Sequence, residues 1–286
     1  MIRTVLPRTV PRVLSIAGTD PTGGAGIQAD LKSIAAQGGY GMAVVTALVA
    51  QNTHGVRSVH IPPVAFLREQ LDAVSDDVTI DAVKIGMLGN AEIVQAVDDW
   101  LEKVKPPVVV LDPVMVATSG DRLLEPAAES AMIRLLSRVD LVTPNLAELG
   151  VLLGEPTAST WPHALEQGKR LSSAHNVIVL VKGGHLEGAV CPDALVDATG
   201  QLPAGRPMIE VAADRVDTAN THGTGCSMSS AMATLQARLG DWSVALSMTK
   251  SWLQESLEHA DELEVGTGRG PIHHFHRLWA GGPPQG

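Results

Sequence analysis

The chain has 286 residues, of which 45% are hydrophobic and only 3% aromatic, so it is long enough for one large α/β domain with an aliphatic core. Its formal net charge of −10 argues against nucleic acid or an anionic membrane as the main partner. Its two cysteines, Cys191 and Cys226, are too few for a disulfide framework, and we expect a cytoplasmic protein with Cys191 in a structural role. No apolar run reaches the roughly 18 residues of a membrane-spanning helix.

Strand-like and helix-like segments alternate along the chain. Short apolar runs, typical of buried strands, lie at 13–17, 42–50, 82–85, 108–111, 141–143 and 177–181. Helical spacing of apolar residues occupies 27–37, 64–74, 92–104, 126–136, 146–153, 161–173, 226–239 and 242–259. This alternation predicts right-handed βαβ crossovers and a central, mostly parallel sheet with helices on both faces.

Turn-rich residues at 199–207 interrupt two short strand-like runs within 194–211, which predicts a small hairpin at the edge of the sheet. No internal linker or periodic repeat is evident. We therefore expect a disordered leader at 1–11, a single domain at 12–280 and a disordered tail at 281–286.

A glycine-rich segment, 17–26, follows the first predicted strand and precedes the first predicted helix. Ligands of open α/β sheets bind at the carboxyl ends of strands, where this loop lies. Gly24, Gly26 and Ala29 fit the dinucleotide fingerprint, but the turn is too long and the next strand ends in Gln51-Asn52 rather than an acid. No Walker A motif is present either.

The segment 220–226 places two glycines and two threonines directly before a helical pattern. Gly223, Thr224 and Gly225 would expose backbone N–H groups at a helix N-terminus, which favours an anion. Cys226 falls in the first helical turn, where a thiol pKa is lowered toward thiolate. An anion site beside a potential base indicates phosphoryl transfer, although a lone cysteine could equally be a buried, inert helix residue.

Several blocks in the same order resemble bacterial hydroxymethylpyrimidine/phosphomethylpyrimidine kinases. They are AGTDPTGGAGIQAD at 17–30, TALVAQNT at 46–53, KIGML at 84–88, DPVM at 112–115, TPNLAE at 143–148, VKGGH at 181–185, NTHGTGC at 220–226 and GPIHHFH at 270–276. The resemblance runs from about residue 12 to 279. It implies the ribokinase-like fold and the phosphorylation, with ATP and Mg²⁺, of the pyrimidine precursor of thiamine and of its monophosphate.

The resemblance also implies roles for individual residues. The pyrimidine contacts would be Gly18, Asp30, Val49, Gln51 and Met87. The residues facing phosphate and metal would be Lys182 and Asn145, with Asp112 and Glu148 as the metal-binding carboxylates. Cys226 stands where most ribokinase relatives carry an aspartate base.

Four of these positions have a structural alternative. Asn145 and Glu148 could simply cap a helix, Lys182 could be a solvated lysine at a strand end, and Asp30 could be an exposed helix carboxylate. Chemically, a Gln side chain carries both complements of the donor and acceptor edge of a 4-aminopyrimidine, and Asp30 could accept from the exocyclic amine.

The imidazoles of His273, His274 and His276 are assigned to packing and surface rather than to a metal. Thr118 stands where several family members have lysine, which makes the second phosphorylation less secure. The segments 118–121 and 183–192 are candidate lids.

Two other functions remain open at the level of sequence. One is a pyridoxal kinase, since pyridoxal also carries a hydroxymethyl group on a six-membered nitrogen heterocycle. The other is a non-catalytic pyrimidine-binding regulator. As superfamily members are often dimers, we expect a homodimer.

Overall fold

The computed structural model describes residues 9–115 and 125–279. Its strands are β1 (Arg12–Ala17), β2 (Tyr40–Val45), β3 (Leu48–Asn52), β4 (Gly55–His60), β5 (Ala82–Ile85), β6 (Val109–Leu111), β7 (Leu141–Val142), β8 (Ile178–Lys182), β9 (Val190–Val196) and β10 (Met208–Asp214). Its α-helices are α1 (Gly26–Ala36), α2 (Val64–Ser75), α3 (Ala91–Val104), α4 (Glu129–Leu135), α5 (Leu146–Leu153), α6 (Trp161–His175), α7 (Thr224–Leu239), α8 (Trp242–Glu258) and α9 (His276–Trp279).

An eight-stranded sheet in the order β10-β9-β8-β7-β6-β5-β1-β2 forms the centre of the molecule. The strands from β8 to β2 in this order pair in parallel, whereas β9 and β10 are antiparallel. The predicted hairpin is therefore confirmed at the sheet edge, although its strands begin and end a few residues outside 194–211. The fold class is α/β, as the alternation of segments predicts.

Helices cover both faces because strand side chains alternate between two apolar layers. Leu14 and Val83 pack on the face covered by α2 to α6. Val13 and Ala82, their neighbours along the strands, pack on the face covered by α1, α7 and α8. Both faces of the parallel strands are thus buried, which explains why these strands read as continuous apolar runs.

The single strand predicted at 42–50 is wrong. The chain leaves the main sheet after Val45, and β3 pairs instead with β4 in a separate antiparallel hairpin. At the break, the Thr46 hydroxyl donates to the Met87 carbonyl at 2.6 Å, and the Ala47 carbonyl accepts from the Thr19 N–H at 2.9 Å. An apolar run does not reveal such a break, because both strands bury aliphatic side chains.

Some predictions fall on residues that the structure does not describe. The leader overlaps 1–8, the tail 281–286 lies wholly outside, and so do Thr118 and the candidate lid at 118–121. Among the described helices, none has the length and apolar character needed to cross a membrane.

Candidate active site

Loops at the carboxyl ends of the parallel strands gather the predicted site at one edge of the sheet. Gly18 follows β1, Met87 follows β5, Asp112 follows β6, Asn145 follows β7, and Lys182 ends β8. The N-terminus of α7 faces the same edge, because a Cβ on Gly225 would lie 3.5 Å from Lys182 Nζ and 3.7 Å from Asp112 Oδ2. Topology thus brings together residues more than 160 positions apart in sequence.

The first turn of α7 forms only part of the predicted N–H cluster, because the Thr224 N–H donates to the Thr221 carbonyl at 3.4 Å. Gly223 caps the helix with φ 81° and ψ 7°, a left-handed conformation that favours glycine. A Cβ there would lie 1.8 Å from the Gly24 carbonyl oxygen, so the two glycine loops pack backbone to backbone. Within the described ranges, the N–H groups of Gly225 and Cys226 donate to no protein acceptor, and they remain available to an anion.

Lys182 supplies the positive charge of this edge. Its Nζ lies 3.4 Å from Asp112 Oδ1, and its side chain is 14% exposed, so it is held inside the site rather than solvated. Burial alone would lower the pKa of Lys182, but Asp112 and Glu148 outweigh it and raise that pKa. The ammonium group is therefore charged and can contact a phosphate.

Asp112 is 3% exposed and is fixed by its neighbours. The Thr143 hydroxyl donates to Oδ1 at 3.1 Å, and the Ser229 hydroxyl lies 3.5 Å from Oδ2. This carboxylate is thus oriented before any ligand arrives.

Asn145 and Glu148 form a capping box at the start of α5. Asn145 Oδ1 accepts from the Glu148 N–H, and Glu148 Oε2 accepts from the Asn145 N–H, both at 2.9 Å. The capping alternative is therefore correct, and it leaves the metal and phosphate roles as predictions. Burial, together with the charge of Asp112, raises the pKa of Glu148 to about 7 despite the opposing charge of Lys182.

The carboxylates of Asp112 and Glu148 fit a hard cation. The charge of Asp112 raises the pKa of the buried Glu148 carboxyl, and a divalent ion between the two groups would offset their repulsion. Among the described residues, no group of three or more His, Cys, Asp or Glu side chains could hold a metal alone. Mg²⁺ here would therefore keep water and phosphate oxygens as its other ligands, as Mg²⁺ commonly does.

Cys226 lies in the first turn of α7 and is partly exposed. The expected lowering of its pKa is wrong: burial raises the pKa of the thiol to about 11, despite the nearby charge of Lys84 and a hydrogen bond from the Gly26 backbone. The carboxylates of Asp30 and Asp112 add to that increase. Cys226 therefore rests as a neutral thiol.

Four of the predicted pyrimidine contacts lie along one wall. Val49 and Met87 pack together in a small apolar cluster with Ala47. A Cβ on Gly18 would lie 3.0 Å from Met87 Sδ, so the glycine keeps this wall open. Gln51 stands two residues further along β3, where the pairing with β4 shifts register.

Asp30 does not join that wall. Its side chain is fully buried and accepts from Ser15 Oγ at 2.6 Å, Lys84 Nζ at 2.7 Å and Ser230 Oγ at 2.8 Å. The predicted contact with an exocyclic amine is corrected accordingly, since no ligand reaches this carboxylate. The exposed-carboxylate alternative is equally wrong.

The sequence assigned no role to Asp20 and left His222 open between a turn former and a ligand. Asp20 is fully buried, and its Oδ2 lies 2.9 Å from His222 Nε2, which ties the first glycine loop to the segment before α7. Burial opposes ionisation of Asp20, but hydrogen bonds from His222 and Thr22 hold the pKa of Asp20 well below its usual range. An acid followed by several glycines is the signal that could have revealed it, because such loops turn their N–H groups inward onto a carboxylate.

The C-terminal imidazoles are packed as expected. His273, His274 and His276 are each at most 6% exposed. The ring of His274 lies 2.9 Å from the Ser227 hydroxyl on α7, and that of His276 lies 3.1 Å from Glu255 on α8. These rings anchor the chain end against α7 and α8.

An N-terminus of a helix, a buried lysine and two carboxylates lie together at the carboxyl edge of a mostly parallel sheet, and this arrangement fits a small-molecule kinase of the ribokinase-like fold. The model of the family described as phosphomethylpyrimidine kinase matches residues 20–273. The chain belongs to this family.

Two curated relatives support this family assignment. The hydroxymethylpyrimidine/phosphomethylpyrimidine kinase of Salmonella typhimurium is 51% identical over 267 residues, covering 93% of this chain and 98% of the relative. The thiamine biosynthesis multifunctional protein ThiED of Corynebacterium glutamicum is 55% identical over 268 residues. The chain spans only 34% of the length of that multifunctional protein.

A solved structure supports the fold independently. The ADP complex of Bacillus subtilis pyridoxal kinase superimposes with a TM-score of 0.84 at 29% identity, covering 94% of this chain and 99% of that chain. The shared architecture therefore extends to a kinase that acts on a different heterocycle.

Proposed function

We propose that this protein transfers the γ-phosphoryl group of ATP to the hydroxymethyl group of 4-amino-5-hydroxymethyl-2-methylpyrimidine, and then to the resulting monophosphate, in thiamine biosynthesis. The observation that carries this proposal is the convergence of Lys182, Asp112 and the unpaired N–H groups of α7 beside the wall formed by Gly18, Val49 and Met87. A site for phosphate and a site for a small ring thus adjoin. The half-identical Salmonella kinase supports the choice of substrate.

Positioning and charge stabilisation account for most of the catalysis in this proposal, as is usual for phosphoryl transfer. The N–H groups of Gly225 and Cys226 and the ammonium of Lys182 would face the oxygens of the transferred group. Asp112 and Glu148 would hold Mg²⁺, which supplies further charge neutralisation on the phosphates. Glu148 keeps its capping bond to Asn145, so α5 orients it.

Cys226 would act as the general base that accepts the proton of the substrate hydroxyl. The thiolate is scarce at neutral pH because burial keeps the thiol pKa near 11. General-base assistance contributes about 10²–10⁴-fold in enzymes, and we expect the lower end of that range here. Replacing Cys226 with Ala should therefore cut turnover by about tenfold or more while leaving the affinity for the pyrimidine nearly unchanged.

Pyridoxal kinase activity is the second candidate, favoured by the close superposition on the Bacillus subtilis enzyme. Both candidate activities would use the same phosphate site, and they differ in the edge of the heterocycle that would contact the Gln51 side chain. A regulator without turnover would keep the same pocket, but it has no need for a buried, charged lysine at the phosphate site.

A coupled assay of ADP release with each heterocycle tests these candidates. The expected result is a higher kcat/KM for the aminopyrimidine than for pyridoxal, with further ADP release from the pyrimidine monophosphate. A preference for pyridoxal above about tenfold would overturn the proposal, and binding of the pyrimidine without ADP release would indicate the regulator. Lys182→Met is the matched control, since it keeps the approximate size of the side chain and removes the positive charge that would face the phosphate.

We also propose a cytoplasmic homodimer. Free thiols at Cys191 and Cys226 suit a reducing compartment, and the large hydrophobic residues Tyr40, Leu48 and Phe66 are each at least half exposed. Analytical ultracentrifugation should give twice the 30.0 kDa mass of the chain, and a single species at 30.0 kDa would contradict the dimer.

A further inference from the structure

The β3–β4 hairpin contributes Val49 to the wall for the ring, but it is not part of the main sheet. Two strands alone are marginally stable in water, so the hairpin depends on contacts with its surroundings. The first glycine loop holds its base: the Thr19 N–H donates to the Ala47 carbonyl at 2.9 Å, and the Thr19 hydroxyl accepts from the Val49 N–H at 3.0 Å. The tip of the hairpin, at 53–54, lies beyond these bonds.

A segment near the end of the chain, residues 265–271, holds that tip, and we call it the C-terminal strap. The Thr53 carbonyl accepts from the Arg269 N–H at 2.9 Å. The Thr53 hydroxyl accepts from the Gly268 N–H at 3.1 Å. Two consecutive N–H groups of the strap are thus bound to one residue at the tip of the hairpin.

Three alternate residues of the strap are glycines, and each lies against a partner that a side chain would displace. A Cβ on Gly266 would lie 2.5 Å from Thr53 Oγ1, and one on Gly268 would lie 2.2 Å from the Thr53 carbonyl oxygen. A Cβ on Gly270 would lie 2.3 Å from Asn220 Oδ1. The strap therefore packs with its bare backbone against both partners, an approach that only glycine allows.

The other end of the strap binds the segment before α7. Asn220 Oδ1 accepts from the Gly270 N–H at 2.8 Å, and the Gly270 carbonyl accepts from the His222 N–H at 3.0 Å. Asn220 Nδ2 donates to Asp261 Oδ1 at 2.7 Å, so a carboxylate, which can only accept, fixes the orientation of this amide. Because Gly223 caps α7 directly after His222, the strap joins the hairpin tip to the turn that carries the proposed phosphate site.

We infer that the C-terminal strap is a positioning element, which sets the separation between the ring wall on the hairpin and the phosphate site at α7. This inference rests on the proposed function, because it takes these two places as the binding sites of the two substrates. The attacking hydroxyl and the phosphorus must approach to about 3–3.5 Å, and a misplacement of about 1 Å can cost on the order of 100-fold in rate. The strap thus acts on turnover without contacting either substrate.

Gly266→Ala tests the inference, since the added Cβ pushes the strap away from the hairpin tip. The kcat should fall by about tenfold or more, because the two sites no longer keep their separation. Calorimetry with the pyrimidine alone and with an ATP analogue alone should give dissociation constants within about twofold of the wild type, because each site keeps its own residues. An unchanged kcat would overturn the inference, and so would a loss of affinity for one substrate that accounts for the whole effect.

Gly200→Ala is the matched control. Gly200 has φ 74° and Gly266 has φ 76°, but nothing lies within 4 Å of the Cβ position of Gly200. Both variants therefore place alanine in the same left-handed conformation, and only one of them disturbs the strap. The control should keep the wild-type kcat, and an equal fall in both variants would contradict a role for the strap.

A double variant assigns the effect to the contact with Thr53. Thr53→Ala removes Oγ1 and Cγ2, which lie 2.5 and 2.6 Å from the Cβ position of Gly266. Combining it with Gly266→Ala should therefore restore kcat by about threefold or more over Gly266→Ala alone, because residues in contact do not act additively. A double variant without this recovery would refute the assignment.

A further measurement uses the wild-type protein and does not depend on the folding of any variant. The N–H groups of Gly268, Arg269 and Gly270 should exchange with deuterium at least about 100-fold more slowly than in an unstructured peptide, because they are bound to Thr53 and Asn220. Exchange at the unstructured rate would refute the strap. Absence of ADP release with the pyrimidine would instead refute the proposed function, and so the two failures are distinguishable.

Discussion

Lys84 and Asp30 form an ion pair with Nζ and Oδ1 2.7 Å apart, and neither side chain is exposed to solvent. The pair joins β5 to α1, and the bonds of Asp30 to Ser15 and Ser230 extend it to β1 and α7. Burial alone would lower the pKa of Lys84, but Asp30 and Asp112 outweigh it and raise that pKa. Burial also raises the pKa of Asp30, against the opposing charge of Lys84. A fully buried ion pair thus lies beneath α7, the helix whose first turn faces the proposed phosphate site.

Replacing Lys84 with Met should destabilise the protein by about 3–5 kcal/mol, because the substitution leaves the Asp30 carboxylate buried without a counter-charge. Urea unfolding followed by circular dichroism measures this change. Lys103→Met is the matched control, since Lys103 and Asp72 form a pair of 3.1 Å with both side chains about half exposed or more. The control should cost less than about 1 kcal/mol, and similar costs for the two variants would contradict a buried ion pair.

The order of strands and helices could be predicted because burial on both faces leaves clear apolar runs in β1, β5, β6 and β8. The hairpin of β3 and β4 could not be predicted from the sequence. Leu48 and Val59 on this hairpin are 50% and 41% exposed, and an aliphatic side chain looks the same in sequence whether it is buried or not. The break at Thr46 depends on bonds to Met87 and Ala17, which are distant in sequence.

The site could be predicted in part from motif chemistry, since glycines before a helix and a lysine at a strand end each have a local physical meaning. Asp30 shows the limit of that reasoning. One helical turn after Gly26, its position is compatible with a ligand, and only the three-dimensional structure places Lys84 against it. The predicted direction of the Cys226 pKa shift is wrong for the same reason. The helix N-terminus can be recognised in the sequence, whereas the desolvation that raises the pKa cannot.

Cys226 should react slowly with iodoacetamide at pH 7, because the thiolate is the reactive form and the thiol pKa lies near 11. We expect a rate constant on the order of 100-fold below that of an unperturbed cysteine, rising with pH throughout the range from 7 to 10. The measurement uses a Cys191→Ser background, so that only one thiol reacts. Rapid reaction at pH 7 that no longer increases above pH 8 would show that the thiol pKa is lowered after all.

Gly223→Ala should destabilise the protein by more than about 2 kcal/mol and abolish nucleotide binding, because it combines a left-handed backbone with a collision. The added Cβ would lie 1.8 Å from the Gly24 carbonyl oxygen, which forces the two loops apart. Gly154→Ala separates these causes, since Gly154 has φ 67° but nothing within 4 Å of its Cβ position.

The Gly154 variant should lose only about 1 kcal/mol and bind ATP normally. Both variants are compared by urea unfolding and by calorimetric titration with an ATP analogue. Equal losses would mean that the backbone contact between the two glycine loops has no energetic consequence.

The stability of the protein should fall as the pH drops below 6.5, because His274 is buried in its neutral form. Burial lowers the pKa of His274 to about 3, and the charges of Lys32 and His273 add to that decrease. In the unfolded chain the ring takes up a proton near pH 6.5, whereas in the native protein it does not until about pH 3. The unfolded state therefore binds more protons between these values, and the free energy of unfolding decreases as the pH falls, by on the order of 3 kcal/mol from pH 7 to pH 4.

His274→Gln removes this titration while keeping a side chain that can bond to the Ser227 hydroxyl. Urea unfolding at a series of pH values should show a flatter profile for this variant than for the wild type, even if its stability at pH 7 is lower. His54→Gln is the control at an exposed position, and it should reproduce the wild-type profile. If all three profiles had the same slope below pH 6.5, other groups would cause the acid sensitivity. The ring of His274 would then be able to take up a proton in the native state.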